Sequence, residues 1–150
     1  MKSEPDVYSI HDLAAEPGQT DYWDGIRNYQ VRNFIRDDMK AGDLAFFYHS
    51  RCKVPGIVGT MRIVREAYPD HTAFDETEKY FDPKSDPDNP RWLMFDVRLD
   101  TIFPDIISLT ELKQHEPLAE MRVVQKGNRL SITPVTKQQW NYIVSLSTGD

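Results

Sequence analysis

The sequence predicts an α+β domain whose strands form one mixed sheet or close as a mixed barrel. Three observations carry that prediction. Residues 44–49 and 92–99 are apolar runs of strand length, residues 28–39 and those after Thr136 carry apolar side chains at helical spacing, and the two kinds alternate irregularly. A doubly wound sheet would need regular strand–helix–strand units, and none is present.

Taken in order, Ser9 precedes Ile10 and Leu13 as an N-cap, with Asp12 at the capping-box position, and Pro17-Gly18 ends that short helix. Residues 21–25, Asp-Tyr-Trp-Asp-Gly, read as a polar aromatic turn. In the next helix Val31, Phe34, Ile35 and Met39 mark the buried stripe, which places Arg32 and Arg36 on one face where both could meet a single anion. Gly42 breaks it, and 44–49 is expected as a buried strand paired hairpin-like with 57–64 across a turn at 53–56. Gly56 and Gly59 mark positions where backbone could approach a ligand closely.

Residues 67–91 hold Pro69, Pro83, Pro87 and Pro90 around Tyr80-Phe81, a long polar loop of the kind that is functional or disordered in a compact domain. A strand follows at 92–99, extended towards Phe103. Ser108 then caps a short helix with Glu111 at the capping-box position, and Pro117 stops it. A turn at 126–129 precedes a short strand at 130–132, and the last helix buries Trp140, Ile143 and Val144.

The 150 residues suit one domain. The single cysteine, Cys52, predicts a reducing, cytoplasmic compartment. The polar opening Met1-Lys2-Ser3-Glu4-Pro5 predicts no leader, and no apolar run approaches membrane-spanning length. Net charge is −6, which opposes a nucleic-acid partner, but residues 27–65 hold eight Lys/Arg against three acids and so leave −11 on the remainder. That asymmetry is compatible with a basic face on an acidic body.

A glycine-rich phosphate loop, a nucleophile elbow and a His-Glu-x-x-His are all missing, and the four histidines share no ligand spacing, so neither catalysis nor a metal or other cofactor is expected. His49 beside Ser50 carries the enzymatic alternative, a small-molecule or nucleotide-modifying enzyme with His49 as acid or base, and a protein-binding adaptor with an exposed apolar patch and no pocket is the third reading. Neighbours on a strand point to opposite faces, which is poor geometry for a Ser–His pair. Trp23 lies beside Arg27 and Asn28, joining a stacking face to a bidentate amide and a cation, the ingredients for reading a base taken out of its stack.

With those residues in view the chain resembles the EVE domain family, a branch of the PUA-like superfamily related to YTH domains. The resemblance rests on Lys2-Ser3-Glu4-Pro5, residues 23–30 (Trp-Asp-Gly-Ile-Arg-Asn-Tyr-Gln), Phe47-Tyr48-His49-Ser50, residues 55–59, residues 80–85, Pro90-Arg91-Trp92 and residues 127–131. It implies a single domain over 1–150, a curved mixed sheet close to a small barrel with short helices around it, and a non-enzymatic reader of a flipped, modified base. Modified cytosine in DNA is the leading target, with methylated adenine in RNA read by the YTH relatives. It further implies that Lys2, Ser3 and Glu4 form the pocket floor, Trp23 one aromatic wall, and Tyr80 with Phe81 a second. Asn28 would bond the base edge, while Tyr48, His49 and Ser50 would close one side. Arg27, Arg32 and Arg129 would meet phosphates.

Overall fold

A computed structural model describes residues 1–149. Five strands form one sheet in the order β1-β3-β4-β5-β2: β1 Lys2–Ser3, β2 Thr20–Trp23, β3 Leu44–His49, β4 Gly56–Pro69 and β5 Leu93–Ser108. β1 runs parallel to β3 and the remaining pairs are antiparallel. The sheet is mixed, as expected, but β1 and β2 stay apart as its edges, so the barrel does not close. Register shifts interrupt the β4–β5 ladder at four places, and such bulges bend and twist a strand pair.

Four helices pack on this sheet: α1 Ile10–Ala15, α2 Tyr29–Asp37, α3 Leu109–Leu112 and α4 Lys137–Thr148. Ser9 and Thr136 close full capping boxes with Asp12 and Gln139. At α3 only half of the expected box forms, with Ser108 accepting from the Glu111 N–H. α4 ends at Gly149, whose φ of +77° suits glycine alone at no steric cost.

β3 is buried on both sides, which explains its unbroken apolar run. Phe47 points into a core with Met61, Phe95, Val97, Ile10, Leu13, Val31 and Ile35, beneath α1 and α2. Phe46 and Tyr48 point the other way, to Ile57, Phe103, Ile107, Leu112, Leu118 and Ile143, beneath α3 and α4. Phe47 and Phe95 are wholly buried, and full burial of such a side chain contributes about 1.5–3 kcal/mol.

Three expectations need correction. Residues 20–23 are a strand paired with β5, because Tyr22 and Trp23 find their partners across the sheet at Asp96 and Phe95. Residues 130–132 form no strand and are tied to β1 by one bond, from the Lys2 N–H to the Ser131 carbonyl. The glycines at 56 and 59 serve packing rather than a ligand: a Cβ at Gly56 would collide with the Ile107 carbonyl, and one at Gly59 with the Thr101 carbonyl and the Ile10 side chain.

Candidate nucleic-acid interface

Phe47 gathers the first group of predicted residues. Its ring lies edge-on to Trp23 at 5.4 Å and edge-on to His49 at 5.5 Å. Ser3 sits opposite His49 in the β1–β3 register, and its hydroxyl donates to the Tyr8 carbonyl at 2.6 Å. Ser50 joins through its backbone N–H, which donates to the Ser3 carbonyl. Alternation along β3 and β1 thus places Trp23, His49 and Ser3 on one side of the sheet, with Trp23 only partly buried.

His49 holds structure together there. Its Nε2 accepts the Ile10 N–H at 3.2 Å, satisfying one of the free donors at the start of α1 and putting the ring proton on Nδ1. Burial, and then the charge of His11, push its pKa below the usual histidine value. In this arrangement the Nε2 lone pair serves the start of α1.

The second group is built around the turn after Trp23. Gly25, at φ +78°, brings the backbone so near the Tyr80 ring that a Cβ would stand 2.6 Å from Cε2. Arg27 closes the turn: Nη1 donates to Asp70 at 2.9 Å, while Nε and Nη2 both donate to the Tyr80 carbonyl at 3.0 and 2.6 Å. Asp70 is fully buried and also accepts from the Gly25 and Thr72 N–H groups. Asn28 caps α2, its Oδ1 accepting the Val31 N–H at 3.0 Å, so its Nδ2 keeps two donors on an exposed side chain.

Other predicted residues are placed differently. Tyr48 is 5 % exposed and lies in the opposite core, so it cannot share a surface with Trp23. Arg27 is engaged by Asp70 and two carbonyls, which leaves it a clamp within the fold rather than a free phosphate ligand. Arg36 pairs with Asp37 and Arg32 bonds Asn33 and the Arg91 carbonyl, so the two do not converge on one anion. Lys2 points to the far side of the sheet with its Nζ 3.5 Å from the Asn128 carbonyl, and burial lowers its pKa. Glu4 meets Arg51 at 3.5 Å. Phe81 is 38 % exposed in the loop, and Arg129 is exposed with no ion pair among the described residues. A cavity of about 570 Å³ lies away from Trp23, beside Leu44, Phe46, Tyr48 and Trp140.

Four residues escaped the sequence reading of the site. Asp70 organises the turn, and Trp92 stacks at 4.8 Å on Tyr29, the first residue of α2. Asn128 Nδ2 is buried without a hydrogen-bond partner among the described residues. The order of chain elements hides all four, because each acts across more than forty residues or in a turn. Among the described residues no three His, Cys, Asp or Glu gather closely enough to hold a metal, and no helix is long and apolar enough to cross a membrane.

The EVE domain model matches residues 1–146. Human thymocyte nuclear protein 1 is 47% identical over 163 aligned residues, covering 97% of this chain and 72% of the relative. A crystal structure of a Pseudomonas syringae protein superposes with a TM-score of 0.93 at 48% identity, covering 98% of this chain and 97% of that one. The human THYN1 protein in complex with 5-methylcytosine-containing DNA superposes with a TM-score of 0.92 at 48% identity, covering 98% and 95%. The relative's name points to a nuclear protein, and this overturns the cytoplasmic location expected from the lone cysteine: a reducing compartment includes the nucleus, which cysteine usage cannot separate from the cytosol. The fold, the Trp23–Phe47–His49 face and the agreement over nearly the whole length lead to one conclusion: the chain belongs to the EVE domain family.

Proposed function

We propose that this chain binds DNA and reads a modified cytosine, 5-methylcytosine first among them, without catalysing a reaction on it. The observation that carries the reading is the match over almost the full chain to a human protein crystallised with 5-methylcytosine-containing DNA. In this reading the base leaves its stack and lies against the partly exposed face of Trp23, a contact typically worth about 1–3 kcal/mol. Ser3 lies at the floor with Lys2 and Glu4 behind it. Ser50 and His49 hold the near edge in shape. Asn28 Nδ2 donates to an acceptor on the cytosine edge, O2 or N3, and the Tyr80–Phe81 segment forms the outer aromatic wall, fixed by the Arg27 clamp.

The non-enzymatic part of the proposal is supported by His49, the only catalytic candidate in the sequence, being occupied as the acceptor for Ile10. Arg129, exposed and without an ion pair among the described residues, is retained for phosphate contact. The test is binding of matched DNA and RNA oligonucleotides with and without 5-methylcytosine at low salt. Preferential binding of the methylated DNA supports the reading, and equal binding to methylated and unmethylated strands overturns it.

A further inference from the structure

Tyr29 follows Asn28 directly and is 51% exposed, with its inner face stacked on Trp92 at 4.8 Å and 29°. Trp92 is itself pinned, its Nε1 donating to Asp82 at 2.7 Å. Two arginines reach this platform from different elements. Arg32, in the first turn of α2, sets its guanidinium 4.8 Å from the Tyr29 ring centroid and donates Nη1 to the Arg91 carbonyl at 3.0 Å. Arg91 donates Nη2 to the Lys84 carbonyl at 2.9 Å, and its Nη1 stands 3.5 Å from the Tyr29 hydroxyl.

Neither arginine has a carboxylate partner: the ion pairs among the described residues are Arg27–Asp70, Arg36–Asp37 and Arg51–Glu4. Carbonyls, an amide oxygen and a hydroxyl hold both side chains, which fixes their direction and leaves some of their N–H groups unused. Of five N–H donors each, Arg32 uses three and Arg91 two, leaving two and three for a ligand. Asp82 feels the charge of Arg91 and Asp37 that of Arg32, but neither carboxylate occupies their N–H groups, and pre-set guanidinium groups with unused donors are suited to an oxyanion with several lone pairs.

We infer that Arg32 and Arg91, carried on the Tyr29–Trp92 platform, form a fork for a phosphodiester of the DNA strand next to the flipped nucleotide. The inference rests on the DNA-reading proposal above and adds to it a backbone contact that includes Arg91 and excludes Arg27. Such a contact is sequence-independent, so it strengthens binding to every DNA and carries a salt dependence.

The experiment titrates one oligonucleotide containing 5-methylcytosine and its unmodified twin into the full chain over a series of salt concentrations. The proteins are wild type, Arg32→Gln, Arg91→Gln, Arg91→Lys and, as a remote control, Lys113→Gln on the exposed end of α3, each with a melting curve. Each Gln variant at the fork is expected to weaken both oligonucleotides by the same factor and to lower the slope of log affinity against log salt by about one. Arg91→Lys keeps the slope because it keeps the charge, and Lys113→Gln changes nothing. An unchanged slope and affinity in Arg91→Gln, with wild-type selectivity for methylcytosine intact, overturns the fork alone. A wild type that binds both oligonucleotides equally overturns base reading, while a lowered slope in Arg91→Gln then still supports the fork. Absence of any DNA binding overturns both.

Discussion

Arg27 and Asp70 meet at 2.9 Å, and the Asp70 carboxylate is wholly shut off from solvent. They lie forty-three positions apart in sequence, yet this pair ties Gly25 to the Tyr80 backbone. Asp70 accepts from Arg27, from Gly25 and from both the N–H and the hydroxyl of Thr72, so removing its carboxylate would strand four donors at once. Asp70→Ala is expected to destabilise the fold by about 3–5 kcal/mol, the usual cost of breaking a buried pair on one side. Urea unfolding of the variant beside wild type checks it, and a change under 1 kcal/mol contradicts the clamp.

Gly25→Ala asks a narrower question of the same turn. The φ of +78° and the 2.6 Å approach to the Tyr80 ring act together. The backbone term alone costs about 1–2 kcal/mol for a residue with a Cβ, and the ring must also move. Lower stability with weakened DNA binding is expected. A variant that melts like wild type would show that Tyr80 does not pack there.

Asn28→Asp separates cap from reader. An aspartate accepts the Val31 N–H as well as asparagine does, and its charge favours a helix N-terminus, so α2 should keep or gain stability. The change removes the Nδ2 donor and adds repulsion towards DNA. Unaltered melting with lost DNA binding is the expected pair of results. Binding at wild-type strength would remove Asn28 from the base edge.

The pH dependence follows from His49. Its folded pKa lies below the usual value near 6.5, so the unfolded chain takes up a proton that the folded chain resists. The contribution is complete above pH 6.5 and is lost as pH falls through the lowered folded value. His49→Gln keeps an acceptor for the Ile10 N–H but cannot titrate. Melting temperatures between pH 7.5 and 5 should fall less steeply for this variant, and parallel curves would contradict the assignment.

The helices were legible in the sequence because their signals are local: Ser9 with Asp12 and Thr136 with Gln139 close their caps within four residues. β3 was legible because burial on both faces leaves an unbroken apolar run. β2 was not, since Asp21, Asp24 and Gly25 are turn formers in isolation and only the pairing of 20–23 with 95–98 overrides them. Trp23 and Asn28 were found from residue type and adjacency. Tyr48 was misplaced: the motif runs 47–50 in a row, but a strand sends Phe47 and Tyr48 to opposite cores. Arg27 and Arg32 looked like free cations because their partners, Asp70, Tyr80 and Arg91, come from a loop the chain reaches forty or more residues later.

The most direct measurement compares binding of a 5-methylcytosine oligonucleotide and its unmodified twin to wild type and to Trp23→Leu, which keeps apolar bulk against Phe47 but removes the stacking face. The account predicts that wild type prefers the methylated strand and that Trp23→Leu, still folded by its melting curve, loses about 1–3 kcal/mol of that binding together with the preference. Equal affinity of wild type for both strands, or a preference that survives in folded Trp23→Leu, would contradict it.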